Sequence, residues 1–207
     1  MQLRAALGTA ALAVMAALSA CGSDPAPASA APAGAQRATA VFAGGCFWCT
    51  ESDFDKVPGV IATTSGYTGG KLANPTYEQV SAGNTGHIES VRVTYDPRKV
   101  SYAQLAAHFI RTTDPLDSGG SFCDRGYQYR SAFFVADAEQ KRVAEAVKAR
   151  AQQILKKPVA TLVLPASAFT PAEDYHQDYY KKNPVRYKFY RFNCGRDARL
   201  AEVWGGK

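Results

Sequence analysis

A nucleic-acid stripe is missing from this chain: no run of Lys and Arg with interleaved aromatics reads as one. The chain has 24 basic and 18 acidic side chains, and pairs such as Lys156-Lys157 and Lys181-Lys182 read as solvated helix ends. Metal-ligand spacing is missing as well. Cys46-x-x-Cys49 has no second Cys-x-x-Cys and no His-x-x-x-His to complete a zinc site, and there are only three histidines, so no metal and no cofactor is expected. The apolar stretch at residues 5–20 has sixteen residues, short of the ~20 that a spanning helix needs. No internal repeat is present. Charged residues are 20% and hydrophobic residues 46% of the 207, which excludes a wholly disordered or collagen-like chain and fits one domain with appendages.

The front end reads as an address. Arg4 supplies a positive start, residues 5–20 an uncharged core, and Leu18-Ser19-Ala20-Cys21 resembles the lipobox of bacterial lipoproteins, in which the Cys is acylated and becomes the mature N-terminus. The expected division is a signal peptide at 1–20, an Ala/Pro/Ser-rich tether at 21–37 with too few large apolar groups to fold, and a folded domain at 38–207. Export follows, with the domain anchored through Cys21 and facing the periplasm or cell exterior.

Along the domain, a short strand at Thr39–Ala43 runs into Gly44-Gly45 and then a helical pattern from Cys46 to Phe54. Strands are predicted at 60–67 and 88–95, and Ser101-x-x-Gln104 caps a helix to Arg111. A strand at 127–135 follows. Asp137-x-x-Gln140 opens a long helix with a stripe through Val143, Ala146, Val147 and Ile154, and a strand at 159–164 comes next. Thr170-Pro171-Ala172-Glu173 predicts the start of a last helix ending at Lys182. This alternation implies an α+β fold: a layered α/β sandwich whose mixed sheet contains a split βαβ, or ferredoxin-like plait, core.

With Cys21 assigned to the lipobox, Cys46, Cys49, Cys123 and Cys194 remain. A domain of this size can bury a core without disulfide staples. The reading that places chemistry is a reactive thiol: a strand, a glycine turn and a helix set Cys46 at a helix N-terminus, where free N–H groups favour a thiolate and a lowered pKa. Phe47 and Trp48 beside it suggest an apolar pocket for a small uncharged substituent.

Gly45-Cys46-Phe47-Trp48 after a short strand resembles the signature of A-type peptide methionine sulfoxide reductases. The likeness continues in order through Ser65-Gly66-Tyr67-Thr68-Gly69-Gly70, Asn74-Pro75-Thr76-Tyr77, Gly86-His87-Ile88-Glu89, Tyr95-Asp96-Pro97, Gln128-Tyr129-Arg130-Ser131 and His176-Gln177. The resemblance implies reduction of methionine S-sulfoxide, free or in proteins, as repair of oxidative damage. It implies Cys46 as nucleophile and Glu89, Tyr77 and Tyr129 as the groups that protonate and hold the sulfoxide oxygen. Phe47 and Trp48 would lie against the substrate methyl, and Asp124 near the site. Glu89 needs a raised pKa for this work, which burial beside Ile88 and Val91 would give.

The sulfenic acid formed on Cys46 would condense with a second thiol, and an external dithiol of thioredoxin type would reduce the disulfide. Three thiols are open for the resolving role: Cys194 first, on a mobile C-terminal segment, then Cys49 at Cys-x-x-Cys spacing, then Cys123. The chain departs from the family here, with Val185-Arg186-Tyr187-Lys188 after Asn183-Pro184 where many members carry the resolving Cys, and with Arg125 where many have His. His87 reads as a hydrogen-bonding structural residue, His108 as core, and His176 has no derived proton-transfer role. A general thiol-disulfide oxidoreductase using Cys46 and Cys49, and a zinc-binding module, are the alternatives. Monomer is the default.

Overall fold

A computed structural model describes residues 36–205. Cys21, the signal peptide and all but the last two residues of the tether lie outside the described residues. In chain order the elements are β1 (Ala38–Gly44), α1 (Phe47–Phe54), β2 (Val60–Thr68), α2 (Tyr77–Ser81), β3 (Ile88–Tyr95), α3 (Tyr102–Arg111), β4 (Gly120–Ser121), β5 (Asp124–Arg125), a 3₁₀ turn (Tyr127–Tyr129), β6 (Ser131–Val135), α4 (Ala138–Leu155), β7 (Leu162–Pro165), β8 (Phe169–Pro171), α5 (Tyr179–Lys182), α6 (Pro184–Asn193) and α7 (Arg196–Trp204).

Six strands form one mixed sheet in the order β7-β6-β1-β3-β2-β8, and β4 pairs with β5 in a separate short hairpin. Every neighbour in the large sheet is antiparallel except β6 with β7. The curled mixed sheet with its helices fits the coarser part of the α+β expectation, a mixed sheet layered with helices. Alternation along the strands divides its faces. Ala40, Phe42, Val91, Val93 and Phe133 pack under Phe54, Leu105, Phe109 and Ala144 from the helices, while Ala43, Ile88, Ala132 and Phe134 form a smaller cluster on the other face. Phe42 is at the centre of the first, with its ring 4.8 Å from Phe54, 5.1 Å from Phe109 and 6.0 Å from Phe133.

Several local expectations hold. Ser101 and Gln104 make the reciprocal capping box of α3, and Asp137 caps α4 by accepting from the Gln140 N–H. Others are corrected. Residues 127–129 are not strand; they form a 3₁₀ turn after Gly126, with the Gln128 side chain donating to the Ser81 carbonyl. No helix begins at Thr170. Phe169–Pro171 is instead an edge strand on β2, with Thr170 opposite Tyr67, and the helix shrinks to the single turn of α5. On α4, Ala146 is exposed and Ala144, Ala151 and Leu155 are the buried positions. The expected mobile C-terminus is two helices, α6 and α7. The turn α2 had a legible signal in Thr76 and Gln79, which form a second capping box.

Phe42→Ala is expected to cost about 3–5 kcal/mol of unfolding free energy, the range for emptying a fully buried aromatic site. Phe189→Ala, at a position 71% exposed, should stay within about 0.5 kcal/mol. Urea unfolding of the two variants checks this, and equal losses would show that the Phe42 cluster is not the core.

Candidate active site

Strand β1 ends at Gly44, and the chain turns into α1 through Gly45 at φ +83°. A Cβ at Gly45 would lie 2.6 Å from the Ser121 Cβ, so only glycine fits between this turn and β4. Cys46 is the N-cap of α1, a free thiol only 7% exposed. Its carbonyl accepts from the Cys49 and Thr50 N–H groups at 3.2 Å each. The Phe47 N–H has no partner within the helix and donates to Glu89 Oε2 at 3.0 Å.

Glu89 is 3% exposed, on the face of β3 that also carries Val91 and Val93. Burial pushes its carboxyl up to about 8, against which the Phe47 N–H gives only a partial offset. Tyr77, at the start of α2, is pushed up to about 12 by burial first, then by Glu89, Cys46 and Asp124. Tyr129 is also raised, by burial first, then by Glu89, Tyr77, Asp124 and Cys46. These mutual influences put Cys46, Glu89, Tyr77, Tyr129 and Asp124 in one cluster. Asp124 is itself raised by burial and accepts a hydrogen bond from the Tyr190 hydroxyl.

The two aromatics after Cys46 differ. Phe47 is fully buried, its ring 5.0 Å from His176 and 5.9 Å from Tyr67. Trp48 is half-buried, stacks on Tyr179 at 3.7 Å, meets Tyr190 edge-on, and donates from Nε1 to His176 Nδ1 at 3.0 Å. That bond makes Nδ1 an acceptor, so the neutral ring carries its proton on Nε2. Glu173 fastens Tyr77 to the sheet, accepting from the Tyr77 N–H and from the Tyr67 hydroxyl at 2.9 Å each.

His87 is a structural residue: Nδ1 accepts from the Gly70 N–H, and Nε2 donates to the Leu72 carbonyl. His108 is half-buried on the Asp53 carbonyl rather than core.

The thiols fall into two pairs. Cys123 and Cys194 are joined in a disulfide with Cα atoms 5.0 Å apart, while Cys46 and Cys49 are both free and both buried. The expectation of a lowered Cys46 pKa is corrected. Burial pushes the Cys46 thiol up, helped by Cys49, Glu89 and Asp124, whereas the Cys49 thiol is lowered to about 7 by its hydrogen bond with Cys46 and by Arg196 and Arg191. Tyr190 and the two arginines were not picked out by sequence reasoning as parts of the site, while His176, expected in a family segment near it with no role, proves to be the acceptor for Trp48. The spacing of Tyr187, Tyr190 and Arg191, three and four apart, is the helical signal that could have found α6.

A family model described as peptide methionine sulfoxide reductase matches residues 38–207. The peptide methionine sulfoxide reductase MsrA 2 of Caulobacter vibrioides is 54% identical over 182 residues, 87% of this chain and 91% of that protein. MsrA/MsrB of Vibrio cholerae is 55% identical over 168 residues, and there the chain spans only 44% of the relative's length. Among solved structures, the reduced form of Mxr1 from Saccharomyces cerevisiae superposes with a TM-score of 0.70 at 30% identity, covering 73% of this chain and 88% of that one.

The Glu89 carboxyl has a pH signature in stability. Its folded value of about 8 lies above the ordinary 4.5, so between those values the native state keeps a proton that the unfolded chain has lost. Stability is therefore expected to fall as pH rises through that window. Glu89→Gln keeps an acceptor for the Phe47 N–H and should make the fall shallower; Glu51, pushed up to about 7 by burial, leaves a remainder. Urea midpoints at pH 5 and pH 8 measure it, and equal slopes in wild type and variant would mean that Glu89 ionises normally.

Proposed function

Because the chain belongs to the peptide methionine sulfoxide reductase family and reduces methionine sulfoxide by cysteine redox chemistry, we propose that Cys46 is the attacking thiol and Glu89 the acid that delivers the proton to the sulfoxide oxygen. The observation that carries this is the meeting of Cys46 at a helix N-cap with a buried carboxyl whose value of about 8 keeps it protonated at neutral pH. A neutral Glu89 also leaves no fixed negative charge beside a thiol that must ionise.

The Tyr77 and Tyr129 hydroxyls hold the S=O oxygen. The Cys46 thiolate bonds to the substrate sulfur as Glu89 protonates the oxygen; that hydroxyl then passes to the Cys46 sulfur while the substrate S–O bond and the transient S–S contact break, leaving Cys46 as the sulfenic acid and releasing methionine. Phe47, Trp48 and Asp124 shape the substrate pocket, with the apolar pair against the methyl group and selection of the S epimer. For the resolving thiol we take Cys49. It is free, buried, hydrogen-bonded to Cys46 and the more acidic of the two, whereas Cys194 and Cys123 are bonded to each other. A thioredoxin-type dithiol then reduces the disulfide.

The remaining parts of the proposal rest on sequence. Residues 1–20 are a signal peptide, Cys21 carries the lipid anchor, 21–37 is the tether and 38–207 the catalytic domain, working as a monomer on the far side of the cytoplasmic membrane. The strand order β6-β1-β3-β2 supports reading the central sheet as a split βαβ plait.

Reduction of a methionine S-sulfoxide with dithiothreitol is expected for the wild type and abolished by Cys46→Ser; retained activity in that variant would sink the assignment. Glu89→Gln should lower kcat by about 10²-fold or more, the range for losing a positioned acid. Cys49→Ser should still release one methionine per protein and then stall with a thioredoxin-type reductant. If it recycles at the wild-type rate, the resolving role passes to Cys194.

A further inference from the structure

Arg196 opens α7 and is 2% exposed. Its Nη1 donates to the Gly44 carbonyl at 3.1 Å, its Nη2 to the Thr112 carbonyl at 2.7 Å, and its guanidinium lies over the Phe122 ring, 4.3 Å from the centroid. Nε is buried with no hydrogen-bond acceptor, and its ion-pair partner Asp53 Oδ2 stands 3.6 Å away. Asp53 is also held by Arg191 at 3.0 Å and reached by Lys56 at 3.6 Å, so it is shared among three cations and cannot neutralise Arg196 alone.

Asp53 follows Cys49 by one turn on α1, and residues four apart share a helix face. Through Asp53, Arg191 and Arg196 therefore meet the face of α1 that also carries Cys49. The charged or titratable groups facing this thiol are Cys46 and Asp53 from α1, Glu89 from β3, Tyr187 and Arg191 from α6, and Arg196 from α7. Only the two arginines among them are permanent cations.

We propose that Arg196 is a positioning residue for Cys49: a buried guanidinium, fixed to the carbonyl two residues before Cys46 and paired with Asp53 one turn beyond Cys49, that supports the Cys49 thiolate in the resolving step. This rests on the reading of Cys49 as the resolving thiol. In that step the Cys49 thiolate attacks the sulfenic sulfur of Cys46, an S–S bond forms and the S–O bond breaks. Hydroxide leaves and takes a proton to become water. The Cys49 sulfur is oxidised as the Cys46 sulfur is reduced. Arg196 acts on the first requirement, the supply of thiolate at neutral pH, and touches neither substrate nor reacting oxygen.

The test is the pH profile of Cys49 alkylation by iodoacetamide, read by peptide mass mapping, in full chains carrying Cys46→Ser with the Cys123–Cys194 disulfide intact. Adding Arg196→Gln should move the midpoint up by about one to three units, the usual effect of losing an opposite charge at close range, and Arg196→Lys should bring it most of the way back. Should Arg196→Gln fail to fold, citrulline at position 196, installed by ligating a synthetic 194–207 peptide through Cys194, keeps the shape and removes the charge. An unmoved midpoint in a folded neutral variant, or Arg196→Lys shifted as far as Arg196→Gln, overturns the proposal. The resolving role fails separately, through normal recycling of Cys49→Ser with a protein dithiol, because alkylation reports on Arg196 whichever thiol resolves.

Discussion

The register between β1 and β3 governs the candidate site. Ala38 lies opposite Tyr95 and Phe42 opposite Val91, and two more residues in the same register bring Gly44 level with Glu89. There β1 ends, Gly45 turns the chain, and the first free N–H of α1 finds the Glu89 carboxyl. The same alternation that buries Val91 and Val93 carries Glu89 inward at the end of the sheet. A slip of one residue would turn every side chain of β3 over, exposing Glu89 and leaving the Phe47 N–H without an acceptor. The raised carboxyl is thus a product of strand pairing, and Tyr67, opposite Glu89 on β2, extends the arrangement through Glu173 to Tyr77.

What was legible in the sequence is what local patterns decide. The strand-glycine-helix unit around Cys46, the alternating β3, and the caps of α3 and α4 are each written within about ten residues. Where the reading failed, distant contacts had taken the groups on which it relied. Thr170-Pro171-Ala172-Glu173 has the form of a helix start, but the Glu173 carboxylate accepts from Tyr67 and Tyr77 and cannot turn back on Thr170. Pro171 suits the edge strand that forms instead. Tyr127 to Tyr129 have strand composition, yet Gly126 at φ +118° and the reach of Gln128 to Ser81 curl them into a turn. Cysteine pairing belongs to the same class, because spacing brought Cys49 forward while only the fold joins Cys123 to Cys194.

Two thiols three residues apart on one short helix end up in unlike fields. Burial first, and then its hydrogen bond with Cys49, work against the ionisation of Cys46. Ionisation of Cys49 is favoured first by that same hydrogen bond and then by the Arg196 and Arg191 guanidiniums. An isolated Cys-x-x-Cys at a helix start would give the lower pKa to the N-terminal sulfur. Here burial of Cys46 and the hydrogen bond between the two thiols outweigh the helix end, and the guanidiniums add to the bias, because burial makes nearby charges count for more than they would in water. The Cys123–Cys194 bond adds to this, since Cys123 follows Phe122, under the Arg196 guanidinium, and Cys194 precedes Arg196 by two residues. It joins the two segments that seat this arginine.

Helix α1 explains why the C-terminal arginines are where they are. It has only eight residues, below the ~12–15 at which a helix becomes marginal by itself. Its C-terminal half carries Glu51, Asp53 and the C-cap Asp55, with no basic residue in the last turn. Acids at that end oppose the helix dipole, and burying them unpaired would be costly. The offset comes from remote segments. Arg191 and Arg196 meet Asp53, while Lys181 and the Tyr180 hydroxyl meet Asp55 at 2.9 and 2.7 Å. Taken alone, residues 180–196 look like a basic tail; against α1 they are its counter-charge. Because Arg191 and Arg196 meet the helix that Cys46 caps, two of the cations that stabilise the fold are also the ones that bias the thiol pair.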